Sequence, residues 1–380
     1  MASDACVYAL KLLKRSKNVL ISGPPGTGKS KLLAEVATAF ESAANARQTS
    51  GGLIHDPGAK VPIPPSSGAT GPLLPAANKT NRKVFRTVFH QNSKYRDFVS
   101  GITPSLNQSR GSTEFTVVKG TLYRASEHAK TEGGAALLII DEINRGPAVQ
   151  VFGGAIVAIE SDKRLAQTGE KRAETQYFEI LDPETGQTIE YALPHDLYIL
   201  AAMNQADASV EPLDVAFLRR WEPLRLEPNE EILRNYYGLG AKDADVSLPD
   251  QVTTINDALE ASVRAWVSVN EQISLGRGPE FTIGHGVFMS DSNPQSMGLS
   301  EVLVSLCVAW SKVRAHVEEV FFGDIRGIAA TFNALDRQGS NPFKLVDTTF
   351  ADDLRFRLEG PANFDENNIY PALKAFTREQ

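Results

Sequence analysis

GPPGTGKS, Gly23 to Ser30, is the stretch on which the reading of this chain turns. It follows a short apolar run, Asn18 to Ser22, and opens a helix with Leu33, Val36, Ala37 and Phe40 on one side. Glycines between a strand and a helix let the backbone curl, so that successive N–H groups point inward at phosphate oxygens. The helix behind adds its positive N-terminal end. Lys29 suits the outer phosphates of a nucleotide, and the Ser30 hydroxyl suits Mg²⁺. The candidate nucleotide-binding set is Gly23, Pro24, Pro25, Gly26, Thr27, Gly28, Lys29 and Ser30, with Leu32 just beyond. Four specified positions arise by chance in about one or two chains in a hundred of this length, given average residue usage. The flanking strand and helix make a chance match rarer still.

Working outward, 380 residues can bury a large core and suffice for two domains. Hydrophobic content of 42% and charged content of 22% are those of an ordinary globular protein. Apolar runs such as Ala135 to Ile140 are too short to cross a bilayer. Lys11, Lys14, Arg15 and Lys17 interrupt the N-terminal apolar positions, unlike a secretory leader. Cys6 and Cys307 alone make no disulfide framework, which fits a reducing, cytoplasmic setting. A net charge of −7 argues against broad attraction to nucleic acid. Two groups, Arg82 with Lys83 and Arg86, and Lys163 with Arg164, Lys171 and Arg172, could form local basic strips; solvated surface charge is the favoured reading of both.

Asp4 to Lys17 reads as a first helix, with Val7, Leu10 and Leu13 on one side. From about Gln48 to Lys79 the composition shifts to Gly, Pro, Ser and Ala, which predicts a long mobile insertion over 48–80. Strand-like sequence resumes at Val84 to Phe89; Tyr95 to Gly101 and Thr121 to Lys130 read as helices. Ala135 to Ile140 and Leu197 to Ala202 read as strands buried on both faces, with Leu224 to Leu226 a shorter third. Strands alternating with helices imply a parallel sheet covered on both sides. Tyr177 to Leu193 alternates around DPETGQ and predicts a protruding hairpin over 177–193. After Glu227 the pattern is mostly helical, best over Val252 to Asn270 and Ser300 to Val320. A boundary near Pro228 divides an α/β nucleotide-binding domain, 1–228, from a helical lid with a C-terminal extension, 229–380.

Three further blocks fit the phosphate loop. LLIIDEINRG, Leu137 to Gly146, ends a strand with Asp141 and Glu142 at the sheet edge where ligands sit in open α/β folds. Asp141 would hold Mg²⁺ beside Ser30, and Glu142 would orient or polarise the attacking water. LYILAAMN ends in Asn204, placed to reach the γ-phosphate and its water; a plain turn asparagine is the alternative. EPLDVAFLRRW, Glu211 to Trp221, carries Arg219 and Arg220 at a helix end, where cations suit the dipole and could also enter a neighbouring subunit's site as an arginine finger. Arg219 is slightly preferred for that role.

In this order the four blocks resemble an AAA+ ATPase, and the finer wording resembles the McrB-type subunit of modification-dependent restriction systems and its dynein-related relatives. FHQNSKYRDFVSGITP (Phe89 to Pro104), DEINRG with Phe152-Gly153 and Asp162 to Arg164, MNxAD (Met203 to Asp207) and IGHGVF (Ile283 to Phe288) carry that resemblance, which runs from about residue 4 to about 325. Ala208 stands where the family has Arg, Leu218 where it has the first of three arginines, and Gly154 where an acidic residue is common. These departures touch intersubunit and partner contacts. The resemblance implies an AAA+ core with a helical lid, ATP or GTP with Mg²⁺, a homo-oligomer (a hexamer), a nuclease-type partner in trans, and nucleic acid reached through the partner or the central pore. The family's type member also has an N-terminal domain that reads methylated DNA; this chain opens on the ATPase, so that reading would be absent or lie on another chain. In the lid, His285, with Arg277 nearby, is a candidate nucleotide contact, or simply completes a turn.

The leading reading is an oligomeric NTPase motor driving or controlling a restriction or defence complex. A MoxR-like protein-remodelling chaperone shares every catalytic block; a nuclease-type neighbouring gene would favour the first, a von Willebrand-type neighbour the second. A slow nucleotide-gated scaffold is the third class, and intact Lys29, Asp141, Glu142 and Asn204 argue against it.

Overall fold

The computed structural model describes residues 3–49, 74–107, 112–206, 213–241, 247–335 and 341–378. Most of the insertion expected over 48–80 lies outside the described residues, as do Asp207 and Ala208 of the MNxAD block. The backbone groups into two compact units, Met1–Ser22 with Lys29–Arg225, and Gly23–Gly28 with Leu226–Gln380. The phosphate loop itself thus packs with the second unit.

In the first unit, helix α1 (Asp4–Ser16) is capped by Ser3, whose hydroxyl accepts from the Cys6 N–H. Strand β1 (Asn18–Ser22) leads to the loop, and α2 (Lys29–Thr49) follows it. Then come β2 (Asn81–Val88), the short α3 (Tyr95–Phe98), and a hairpin of β3 (Ser100–Asn107) with β4 (Ser112–Lys119). After α4 (Thr121–Lys130) and β5 (Gly134–Asp141) lie two short helices, α5 (Ala148–Phe152) and α6 (Ala155–Ala158). A second hairpin, β6 (Phe178–Leu181) with β7 (Thr188–Tyr191), precedes β8 (Leu197–Ala202), α7 (Val215–Leu218) and β9 (Glu222–Arg225).

The central sheet has five parallel strands in the order β2-β5-β8-β1-β9. Ala135–Ile140 of β5 and all of β8 are buried, because each strand has a neighbour on both edges and cover on both faces. Each such Leu or Ile contributes about 1.5–3 kcal/mol of burial. Ile140 pairs with Ala201 and Ile21 with Ala202, so β1, β5 and β8 end at one edge of the sheet. Phe89, Phe98, Phe152, Phe217 and Trp221 form a linked aromatic cluster in this unit, with ring centroids 4.7–6.2 Å apart. Within 177–193, β6 and β7 pair antiparallel; the helix read over Tyr95 to Gly101 is confined to Tyr95–Phe98, and Ser100 and Gly101 belong to the β3–β4 hairpin.

The second unit holds α8 (Glu230–Tyr237), α9 (Ile255–Gly276), α10 (Leu299–Val320), α11 (Ile325–Thr331), a hairpin of β10 (Lys344–Phe350) with β11 (Asp353–Glu359), and α12 (Ile369–Phe376). α9 starts later than Val252 because Thr254 and Asp257 form a capping box. Trp266, Trp310, Phe332, Phe343 and Phe376 anchor its core. Among the described residues, no helix is long and apolar enough to cross a membrane. Cys6 and Cys307 are both free and buried.

Candidate functional site

The end of β5 is where chemistry meets scaffold. The strand is apolar until Asp141, whose carboxylate accepts the N–H of Glu142 at 3.0 Å. Glu142 sits in the left-handed region, φ 53° and ψ 44°. That conformation costs a residue with a Cβ roughly 1–2 kcal/mol. Uncommon backbone of this kind clusters at functional sites. A single turn of 3₁₀ helix, Ile143–Arg145, follows. Each of its side chains has a separate task. Ile143 is fully buried and pins the turn to the core. Asn144, also buried, donates from Nδ2 to the main-chain oxygen of Asn204 at 2.8 Å. Arg145 donates from Nε to Glu142 Oε2 at 2.8 Å. Gly146 closes the block beneath β2's extension: a Cβ there would lie 2.6 Å from the His90 oxygen. The FHQ and DEINRG blocks are therefore packed on each other, and Phe89 N–H also donates to the Asp141 oxygen at 3.2 Å.

Asn204 follows β8. Met203 N–H donates to Ile21 O at 2.9 Å, which fixes this exit beside the end of β1. The Asn204 Oδ1 is buried with no hydrogen-bond partner among the described residues. Lys29 and Ser30 open α2; Ser30 is exposed, and Lys29 is half-buried. Burial holds the Lys29 ammonium below its usual range, while the charges of Glu142 and Asp141 act the other way. Leu32, placed in the nucleotide set by sequence, is buried in the core.

In the second unit, the loop Gly23–Gly28 takes positive φ at Gly26 (77°) and Gly28 (89°). A Cβ on Gly28 would meet open space, as a cradle for an external group requires. The IGHGVF block explains itself here. Gly284 N–H donates to Pro25 O at 2.9 Å and Gly286 N–H to Gly26 O at 2.8 Å. A Cβ on Gly284 would overlap the Gly26 and Thr27 backbone. His285 between them is buried, and its Nδ1 accepts from Asn229 N–H at 3.3 Å. Arg277 lies over the Phe321 ring, 4.9 Å from its centroid, and 3.8 Å from Asp324. Both have structural partners within the second unit.

The two candidate fingers part company. Arg219 is exposed at the end of α7. The Arg220 side chain is only 8% exposed, its Nε 3.0 Å from Glu160 Oε1 and its Nη1 donating to Ala216 O. The Nε contact is a close charge pair that misses hydrogen-bond alignment, so this nitrogen has no hydrogen-bond partner among the described residues. The Arg220 main-chain oxygen accepts from Asn18 Nδ2 at 3.3 Å, and Asn18 Oδ1 accepts from Arg164 Nη2 at 2.5 Å. Arg164 is fully buried and donates also to the oxygens of Ile159 and Leu197. This corrects its reading as solvated surface charge. Arg82 is corrected in the same way: it is buried, with its guanidinium on the oxygens of Phe40, Pro75 and Ala76. Both basic strips lose a member to internal scaffolding. Asn144, Gly284, Arg145 and Asn18 were not singled out by sequence; for the first three the signal lay in the quoted blocks themselves.

Residues 73–221 match the family described as AAA domain (dynein-related subfamily). The phosphate loop lies upstream of that stretch. The chain is 26% identical over 322 residues to the type IV methyl-directed restriction enzyme EcoKMcrB subunit of Escherichia coli (strain K12), covering 83% of this chain and 56% of that protein. It is 29% identical over 230 residues to the type II restriction enzyme BsuMI component YdiS of Bacillus subtilis (strain 168), covering 56% and 58%. The chain thus spans a little over half the length of each relative. Among solved structures, NtrX from Brucella abortus is similar at 13% identity and a TM-score of 0.31, over 89% of this chain and 65% of that one. Residues 73–221 of this five-stranded parallel-sheet chain are thus similar to the dynein-related AAA domains, and the chain as a whole is similar to McrB-type restriction subunits.

Proposed function

We propose that the chain is an oligomeric nucleoside triphosphatase that drives or regulates a restriction-type complex, with cleavage of nucleic acid supplied by a partner subunit. One observation carries the reading: Asp141, Glu142 and Asn204 stand at the C-terminal edge of adjacent strands, beside the strand that runs into the phosphate loop. The printed names of both relatives, a subunit and a component of restriction enzymes, support the setting.

In this reading the N–H groups of Gly23 to Gly28 hold the phosphates, and Lys29, which Gly28 joins directly, neutralises the outer ones. The negative charge of a bound triphosphate would oppose the desolvation that depresses the Lys29 ammonium. Ser30 and Asp141 are the residues that would hold Mg²⁺, which when bound neutralises charge on the phosphate oxygens. The free carboxylate oxygen of Glu142 accepts a proton from the attacking water, and the Asn204 carboxamide steadies that water and the γ-phosphate. Arg219, exposed at the end of a helix whose other arginine is anchored, enters the neighbouring copy's site. Base choice between ATP and GTP rests on the resemblance alone.

The test is steady-state turnover of ATP and of GTP, with and without DNA, by the parent and by Glu142→Gln. A loss of about 10²-fold or more in the variant supports the reading. Equal turnover removes Glu142 from its role, and absence of turnover of either nucleotide by the parent removes the triphosphatase.

A further inference from the structure

The DEINRG turn holds its own carboxylate. Glu142 takes φ 53°, and its Oε2 accepts a hydrogen bond from Arg145 Nε at 2.8 Å across the 3₁₀ turn. The pair is built within three residues, so it needs no partner, nucleotide or distant element to form. Its members are not buried: their side chains are 34% and 51% exposed. An exposed ion pair of this kind is weak, released at a cost of about a factor of two to five in equilibrium. Ile143 and Asn144 fix the backbone between the two, leaving side-chain rotation as the way the pair opens.

We propose that Arg145 is a positioning residue that withholds Glu142 in the isolated chain, occupying one carboxylate oxygen and turning the group away from the attacking water. The proposal rests on Glu142 being the water-orienting group. The restraint sets the basal rate: only the fraction of molecules with the pair open is competent, and the apparent rate is reduced by that fraction. Any anionic group that draws the Arg145 guanidinium away raises the rate without touching the nucleotide. An arginine in place of a residue that simply supported the turn would have no such effect, because the turn is already pinned by Ile143 and by the Asn144 bond to Asn204.

The experiment uses the full chain, with Mg-ATP and Mg-GTP as substrates. Arg145→Ala is expected to raise kcat about two- to five-fold with KM unchanged, and Arg145→Lys, which keeps a cation at the same place, to return it toward the parent. In the double variant Arg145→Ala with Glu142→Gln the gain disappears. Thermal melting checks that each variant is folded. An Arg145→Ala protein that melts like the parent but turns over at or below the parent's rate overturns the restraint, while an inactive Glu142→Gln leaves the assignment of the base standing. A fully active Glu142→Gln overturns both together. If Arg145→Ala melts early, Arg145→Gln, which keeps the length and loses the charge, takes its place and must show the same gain.

Discussion

The side chain of Asn144 donates to the main-chain oxygen of Asn204 at 2.8 Å, tying the turn after β5 to the loop after β8. The bond is formed by a buried carboxamide whose own Oδ1 has no hydrogen-bond partner among the described residues. Such an arrangement carries a desolvation cost of about 1–3 kcal/mol, which stability alone does not explain. Asn144→Ala is expected to lower kcat about ten-fold, as loss of one positioning hydrogen bond would, with KM changed less than three-fold. Steady-state kinetics checks it; a variant with normal kcat would show that Asn204 keeps its place unaided.

Arg219 and Arg220 should separate cleanly on substitution. Arg219 is exposed, so Arg219→Ala is expected to melt within a degree or two of the parent and lose turnover at least a hundred-fold in assembled protein. Arg220 is paired with Glu160 and mostly buried, so Arg220→Ala should cost about 1–3 kcal/mol of stability. Paired denaturant melts and turnover assays read both. The opposite pattern would exchange their roles.

Gly284 lies so close to the phosphate loop that a methyl group cannot be placed there without moving Gly26 or Thr27. Gly284→Ala is expected to weaken nucleotide binding ten-fold or more while leaving the first unit's strands intact. Titration with a fluorescent nucleotide, alongside circular dichroism, gives the answer; parent-like affinity would mean that the loop can shift at no cost to its ligand.

Lys17 is a buried ammonium at the foot of β1, donating to the His195 oxygen at 2.6 Å and lying 4.8 Å from the Tyr198 ring centroid. Burial, then Arg164 and Arg172, push it down to about 7, and Asp196 opposes them. The unfolded chain holds that proton up to about 10.4. Between these values the unfolded state binds more protons, so this group's penalty is complete below about pH 7 and vanishes as the pH climbs through the window. Lys17→Met, at the same backbone position, is expected to stabilise the protein by about one to several kcal/mol at pH 6–7 and by little at pH 10. Chemical denaturation at the two pH values tests the sign.

The parts of the fold legible in the sequence are those whose residues report their own surroundings. β5 and β8 are continuous apolar runs because both of their faces are covered, and such runs declare themselves. β6 and β7 alternate and flank DPETGQ, so their hairpin reads directly. The β3–β4 hairpin does not: SGITPSLN holds a proline and small polar residues, while Ile102 and Phe115 stand exposed, so no face is marked as inner. The β10–β11 turn is hidden for another reason, since Ala351 and Asp352 take positive φ without a glycine to signal it. In the site, the residue types at Asp141, Glu142 and Asn204 point to chemistry by themselves. What Asn144 and Arg164 do is decided by carbonyls and amides tens of residues away, and no local pattern encodes those partners.

Asn18 grips three strangers at once: its amide nitrogen donates to the main-chain oxygens of Ile159 and Arg220, and its oxygen holds the interior guanidinium of Arg164. It is also the first residue of the strand that feeds the phosphate loop. A pull on the Arg219–Arg220 segment is therefore felt at the root of β1 without travelling through solvent or side chains on the rim.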